Sequence, residues 1–353
     1  MKELYNVSAS PHVRSGVTTR SIMRDVAIAL IPASAMGVYR FGFKAFLVLL
    51  SAVVAAVLSE FLWNRFVLKK KQPVTECSAL VTGLLLGMNL PASVPLWMPV
   101  VGSIFAIIVV KEFFGGLGQN FMNPALAGRC FLMISFAGRM TSFAVEKAAD
   151  GLGLFMNGAS AIDGLSSATP LAVMKSPAIE ILSFDSLCLG TGTPVVSPAY
   201  SLKDMFLGFT GGVIGETSTL CILIGAIYLL IRKVISLRRP VAYIATFAVF
   251  MLLFGGQGFN MHYLACQLCG GGLMLGAWFM ATDYVTSPIT KLGQIVFGIL
   301  LGLLTGVIRV VSISAEGVSY AIIFCNLLVP FIERCTMPRA FGIVKAKKGG
   351  AAK

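Results

Sequence analysis

The sequence predicts an all-α polytopic membrane protein of about ten transmembrane helices in two related halves, and three observations predict it. Of its 353 residues, 57% are hydrophobic and only 12% charged, with a mean hydropathy of +0.86; no soluble core absorbs that much apolar sequence. The apolar residues fall in runs near the length, roughly 20 residues, that crosses about 30 Å of hydrocarbon. Two motifs also recur at one offset. Glu76-x-Ser78-x-Leu80 returns as Glu216-x-Ser218-x-Leu220, and Phe114-Gly115-Gly116-x-Gly118-x-Asn120 returns as Phe254-Gly255-Gly256-x-Gly258-x-Asn260, each displaced by 140 residues (76 to 216, 114 to 254).

Residues 1–20 are polar and lack the charged, apolar, small-residue order of a cleaved signal peptide, so a retained N-terminus is expected. A first membrane half, 21–137, holds five apolar segments at about 22–39, 45–68, 77–91, 95–112 and 121–137. A polar segment, 138–205, follows. The second half, 206–334, holds segments at about 206–231, 241–255, 263–281, 292–309 and 318–333, and a basic tail runs over 335–353. The segments after Thr75 and before Gly255 are short enough to be tilted, broken or only partly crossing.

The 28 Lys and Arg set the orientation. They cluster at Arg14, Arg20 and Arg24, at Lys69-Lys70-Lys71, at Arg232, Lys233, Arg238 and Arg239, and from Arg334 to Lys353. Basic residues flanking spans stay on the cytoplasmic side, and ten spans put every cluster there. Both termini are then cytoplasmic and 138–205 is outside, where four basic residues stand against six acidic ones. The net charge of +13 reads as topology and contact with anionic lipid. No basic folded face for nucleic acid is evident. Because the repeat relates the third to fifth segments to the sixth to eighth, an odd number, the halves cross in opposite directions, an inverted repeat.

Asn120 and Asn123 sit three apart before the fifth segment, where they could offer amides to a planar polar ligand or cap the helix. Arg129 is a charge inside an apolar run, with either a task or a partner. Glu76 and Glu216 occupy equivalent places in the two halves and are candidates for an ion path; Glu60 and Asp25 are further acids at span ends, with structural ion pairing as the rival account. Asp283 reads as a cap or boundary residue. Cys266-x-x-Cys269 has the only metal-like spacing, but without a second pair it reads as small interfacial residues. With only His12 and His262, and no phosphate-binding loop or nucleophile elbow, a histidine triad or metal cluster is hard to assemble, and the chemistry belongs to a bound cofactor. The stretch Asp163-Gly164-Leu165-Ser166-Ser167-Ala168-Thr169-Pro170-Leu171 opens with turn formers and presents the Thr169 hydroxyl on a tight turn without bulky shielding neighbours, which suits an attachment site or simply a solvated turn.

These motifs, with Ser10-Pro11-His12, Thr18-Thr19-x-x-Ile22-Met23-x-x-Val26, Phe121 to Arg129 and Met280-Ala281-Thr282-Asp283, resemble the D-subunit family of Rnf-type ion-translocating ferredoxin:NAD oxidoreductases, and more distantly the B subunits of sodium-translocating NADH:quinone reductases. The resemblance covers nearly the whole chain. It implies a urea-channel-like architecture in a prokaryotic inner membrane, FMN held by a phosphoester bond on Thr169, and a second, noncovalent riboflavin towards the cytoplasm, with Asn120 and Asn123 as its contacts. The attachment turn would comprise Asp163, Gly164, Ser167 and Ala168; Ser166-Ser167 stands where relatives often have a Ser/Thr-Gly pair. Implied partners are a flavin transferase, an outward-facing FMN subunit, membrane iron–sulfur subunits, and Na+ or H+. The chain would relay electrons inward as one subunit of a translocase, inactive alone, with Glu76 or Glu216 carrying the coupled cation. A passive solute channel is the alternative, and Thr169 separates the two.

Overall fold

A computed structural model describes residues 18–69, 77–143, 169, 171, 174, 202–256, 258–312 and 317–338. Glu76, Asp163, Gly164, Ser167 and Ala168 lie outside them. Among the described residues every regular element is a helix. The chain runs as α1 (Thr19–Phe41), α2 (Phe43–Leu62, prolonged by a π-helical turn Trp63–Val67), α3 (Ser78–Met88), α4 (Trp97–Ile104, prolonged as π-helix Phe105–Glu112), α5 (Pro124–Ser135) and a short α6 (Ala137–Met140). It continues as α7 (Leu202–Leu207), α8 (Thr219–Ile231), α9 (Arg238–Phe254), α10 (Met261–Cys269), α11 (Leu273–Leu275, prolonged as π-helix Gly276–Met280), α12 (Lys291–Val311) and α13 (Val318–Thr336).

Four of these are long and apolar enough to cross a membrane: α1, α2 with its π turn, α12 and α13. The pair α10 and α11 passes the same test together but bends by 64° at its break. Helix α3 has 11 residues and rises about 16 Å, roughly half the hydrocarbon thickness.

The packing follows membrane rules. Along α12, Ile295, Ile299, Leu303 and Val307 recur every fourth residue and stay exposed, a stripe suited to lipid. Gly298, Gly302 and Gly306 recur with the same period on a buried face. A Cβ on Gly302 would lie 2.7 Å from Thr246 Cβ and 2.8 Å from Phe247 N, so only glycine lets α9 and α12 approach this closely. Between the same helices, Tyr243 and Thr305 share a buried hydroxyl–hydroxyl bond of 2.8 Å.

Two expected spans are broken. Segment 206–231 is not one helix: α7 stops at Leu207, residues 208–218 are non-helical, and α8 starts at Thr219, its end capped by Ser218. Gly208, Gly211, Gly212 and Gly215 weaken the helix there. The freed backbone finds partners at the end of α3, with Ile214 N donating to Leu90 O (3.1 Å) and Gly215 N to Met88 O (2.7 Å). Segment 263–281 breaks at Gly270-Gly271-Gly272, where Gly271 and Gly272 hold φ values of 69° and 65° that favour glycine. Irregular backbone at such depth is tolerated where protein covers it.

Candidate functional site

Helix ends meet around an open-mouthed pocket with a cavity volume of about 90 Å³. Its walls are Ile22, Met23 and Val26 of α1, Ser78, Val81, Thr82 and Leu85 of α3, Lys111 and Leu117, Asn120, Asn123 and Pro124, Leu229 of α8, Val234 and Ile235, and Phe279 with Thr282 to Val285 beyond α11. Most of this surface is apolar, with convergent amides, hydroxyls and one ammonium.

The two asparagines differ. Asn123 is the N-cap of α5: its Oδ1 accepts from the N–H of Ala125 (3.1 Å) and Leu126 (3.5 Å), ahead of Pro124 at the first helical position. Its Nδ2 donates to Met280 O (3.5 Å), tying α5 to the end of α11. Asn120 caps nothing; its Nδ2 donates to Met122 O (3.1 Å). In the second copy of the motif Asn260 caps α10, accepting from His262 and Tyr263 N–H. Both Asn120 and Asn123 reach the pocket wall.

Arg129 is elsewhere. It is buried in α5, where Nη1 donates to Asn89 Oδ1 and Ser319 Oγ, both at 3.0 Å, linking α5 to the end of α3 and to α13. Glu60 and Asp25 are ion-paired. Glu60 Oε1 lies 2.9 Å from Lys111 Nζ, with both side chains buried; Asp25 takes Arg232 at 3.1 Å and the Tyr228 hydroxyl at 3.3 Å. Lys111 also donates to Ser78 Oγ (2.7 Å) and stands 4.0 Å from Glu112 Oε1. The π-helical turn buries the adjacent Lys111 and Glu112 together, a geometry that recurs at functional sites. Asp283 forms a local turn beside the pocket, accepting from Thr286 Oγ1 (3.0 Å) and Val285 N (3.4 Å). Burial pushes its carboxyl above the ordinary range, and these bonds and Arg239 pull it back.

The second cluster surrounds the break between α10 and α11. Buried Arg309 of α12 donates to Gln267 O (2.6 Å) and Gln267 Oε1 (3.2 Å), and to Gly270 O (2.9 Å) and Gly271 O (3.1 Å), with its guanidinium 4.9 Å from the Phe247 ring centre. A cation at the carbonyl end of a helix is favourably placed. Glu216 is buried beside the break, since a Cβ on Gly272 would stand 2.8 Å from its Oε2. Thr169 and Leu171 are buried too, and Leu171 packs on Gly270 and Gly271. The sequence predicts an unshielded Thr169 hydroxyl, whereas Thr169 is buried. Cys266 and Cys269 form no disulfide among the described residues, and no three potential metal ligands come together there.

A family model described as the NQR2, RnfD, RnfE family matches residues 6–342. The chain belongs to this family. It is 43% identical to the D subunit of the Na(+)-translocating ferredoxin:NAD(+) oxidoreductase complex of Acetobacterium woodii, over 100% of both chains. It is 38% identical to the proton-translocating counterpart of Clostridium ljungdahlii over 97% of each, and 35% identical to the D subunit of an ion-translocating oxidoreductase complex of Actinobacillus succinogenes over 96% of this chain and 98% of the other.

For this member of the NQR2, RnfD, RnfE family, the sequence motifs located Asn120, Asn123 and Thr169 but not Lys111 or Arg309. Their signal was present: each is a lone cation, or a cation beside an acid, inside an otherwise apolar run.

Proposed function

We propose that this chain is the D subunit of an ion-translocating ferredoxin:NAD+ oxidoreductase complex, carrying FMN on Thr169 and riboflavin in the pocket of Asn120, Asn123 and Lys111. One observation carries the assignment: identity of 43% over the whole length to a subunit with that name. That two of these relatives are named for Na+ and for protons respectively agrees with carboxylates as carriers, which serve both ions.

The residues present fit a flavin. The pocket has apolar walls for a ring system, amide groups at Asn120 and Asn123 for its polar edge, and the Lys111 ammonium held by Glu60 and Ser78. Bound flavins supply one- and two-electron redox chemistry. The chain's share is to hold and orient them and to keep water away. Arg129 acts at one remove, fixing α5 and hence its cap Asn123. Asp163, Gly164, Ser167 and Ala168 are the residues before Thr169 that a flavin transferase would recognise. Glu216, buried at the helix break, and Glu76 are the ion-path carboxylates.

In the same proposal the ten apolar segments form two inverted halves in a prokaryotic inner membrane, with both termini and the pocket cytoplasmic and 138–205 outside. The half-length α3, the broken α7–α8 segment and the bent α10–α11 pair support it, since discontinuous helices meeting at mid-membrane mark such transport folds. An FMN-bearing outward subunit and iron–sulfur subunits complete the complex.

The test is in-gel flavin fluorescence of the purified chain, co-expressed with a flavin transferase, for wild type and Thr169→Ala. A fluorescent wild type and a dark variant are expected. A dark wild type, with the transferase proven on a known acceptor, sinks the assignment of FMN and leaves a passive channel as the better account.

A further inference from the structure

Discontinuous helices in transport folds turn their freed carbonyls towards cations, and the break between α10 and α11 is built that way. It falls about half-way along the apolar run 261–280, where the chain bends by 64°. The backbone carbonyls of Gln267, Gly270 and Gly271 and the side-chain oxygen of Gln267 converge on the Arg309 guanidinium, at 2.6, 2.9, 3.1 and 3.2 Å. The Gln267 amide turns its oxygen inward because its Nε2 is engaged with the Tyr263 hydroxyl (3.2 Å). The Phe247 ring adds its negative face at 4.9 Å, and the carbonyl end of α10 adds the negative end of the helix dipole. Oxygens, a ring face and a helix C-terminus are the parts of a cation site, and here the cation belongs to the chain.

Neutral donors would answer the same carbonyls, whereas a charge held inside the bundle carries a desolvation cost. What a fixed positive charge adds is exclusion: it repels free cations from oxygens that would otherwise replace their hydration shells. The place makes exclusion matter. Arg309 Nη2 stands 2.9 Å from the Gly271 Cβ position, and Glu216 Oε2 stands 2.8 Å from that of Gly272, so a charge that repels cations and a carboxylate that attracts them flank neighbouring residues of the break.

We propose that Arg309 is a tethered cation that fills the cation site of the α10–α11 break and closes this half of the chain to free Na+ and other small cations. Closure prevents uncoupled flow down the ion gradient, which a coupled translocase requires. The proposal stands on the break alone and does not depend on where the flavins sit.

Three full-length variants separate charge from hydrogen bonding. Arg309→Gln keeps amide donors and loses the charge, Arg309→Lys keeps the charge and loses the planar fork, and Arg309→Ala empties the site. Each chain and the wild type is purified and reconstituted into vesicles at equal protein density, and Na+ entry down an imposed gradient is followed with a trapped Na+-sensitive dye. Closure by charge predicts entry at the rate of protein-free vesicles for wild type and Arg309→Lys, and entry about tenfold faster for Arg309→Gln and Arg309→Ala. Added methylguanidinium should return Arg309→Ala to the closed rate by refilling the site, and tetramethylammonium, of equal charge but without donors, should not. Wild-type entry as fast as that of Arg309→Gln overturns the plug, as does the absence of entry through both neutral variants. Equal entry through Arg309→Lys and Arg309→Gln, or entry through Arg309→Ala that methylguanidinium leaves unchanged, also overturns it, because either marks a loosened fold and not a lost charge. None of these results bears on FMN at Thr169, which in-gel fluorescence decides separately.

Discussion

Single residues in this protein are governed by how dearly an unpaired charge is held in a low-dielectric bundle. Lys111 is the clearest case, buried with Glu60 at 2.9 Å and Ser78 at 2.7 Å. Replacing it by Met leaves the Glu60 carboxylate buried without its cation, which costs about 3–5 kcal/mol. The thermal unfolding midpoint of Lys111→Met in detergent should fall accordingly, and adding Glu60→Gln, which removes the stranded charge, should recover at least half of the loss. Asn120 is the complementary test, because its amide makes one local bond and caps no helix. Asn120→Ala should leave stability within about 0.5 kcal/mol of wild type while weakening riboflavin binding roughly tenfold, about 1.4 kcal/mol, measured by titration of flavin fluorescence. Equal affinity in the variant would remove Asn120 from the proposed site. Asn123 does not permit so clean a test, since its side chain both caps α5 and holds Met280 O.

At the scale of elements, glycine placement decides which helices pack closely and which ones break. In α12 the spacing Gly298, Gly302, Gly306 makes a groove for α9, and these glycines sit inside a continuous helix because close packing outweighs their low propensity. Gly302→Val places methyl groups against Thr246 and the backbone of Phe247 and Tyr243, an overpacking of about 1–3 kcal/mol. The midpoint of thermal unfolding should drop, whereas Ile299→Val on the exposed stripe of the same helix should change it little. In Gly270-Gly271-Gly272 the outcome is opposite. Consecutive positive φ values end α10, and Arg309 satisfies the carbonyls that the break releases. Composition alone does not separate the two cases: both are glycine-rich stretches within apolar runs, and what differs is the cation waiting at the second.

At the scale of the whole molecule, the distribution of basic residues predicts orientation. A small epitope tag after Lys353 should be reached by antibody only in opened cells, and one inserted near residue 150 should be reached in intact cells; both tags on the same side would contradict an odd number of spans between them. The pocket is built from the ends of α1, α3, α4, α8 and α11, and α1 and α9 carry Arg20, Arg24, Arg238 and Arg239 near their starts, so the proposed riboflavin site shares the basic end of the bundle. The fold class was legible in the chain alone: apolar runs of membrane length can only be satisfied as helices in lipid, and helices stand in those runs even where they are shorter than the runs themselves. The same reading singled out Asn120, Asn123, Arg129, Glu216 and Thr169 as costly or unusual for their surroundings. What each one faces came from the packed bundle. Asn123 is a cap and Asn120 is not, because the helix starts at Pro124. Arg129 meets Asn89 and Ser319, and Lys111 reaches Glu60 across 51 residues. Leu171 packs into a notch contributed by residues about 100 positions away. Desolvation acts on each residue alone, so the order of residues shows which groups need partners; which partners answer depends on contacts between distant segments, and only tertiary packing brings these together.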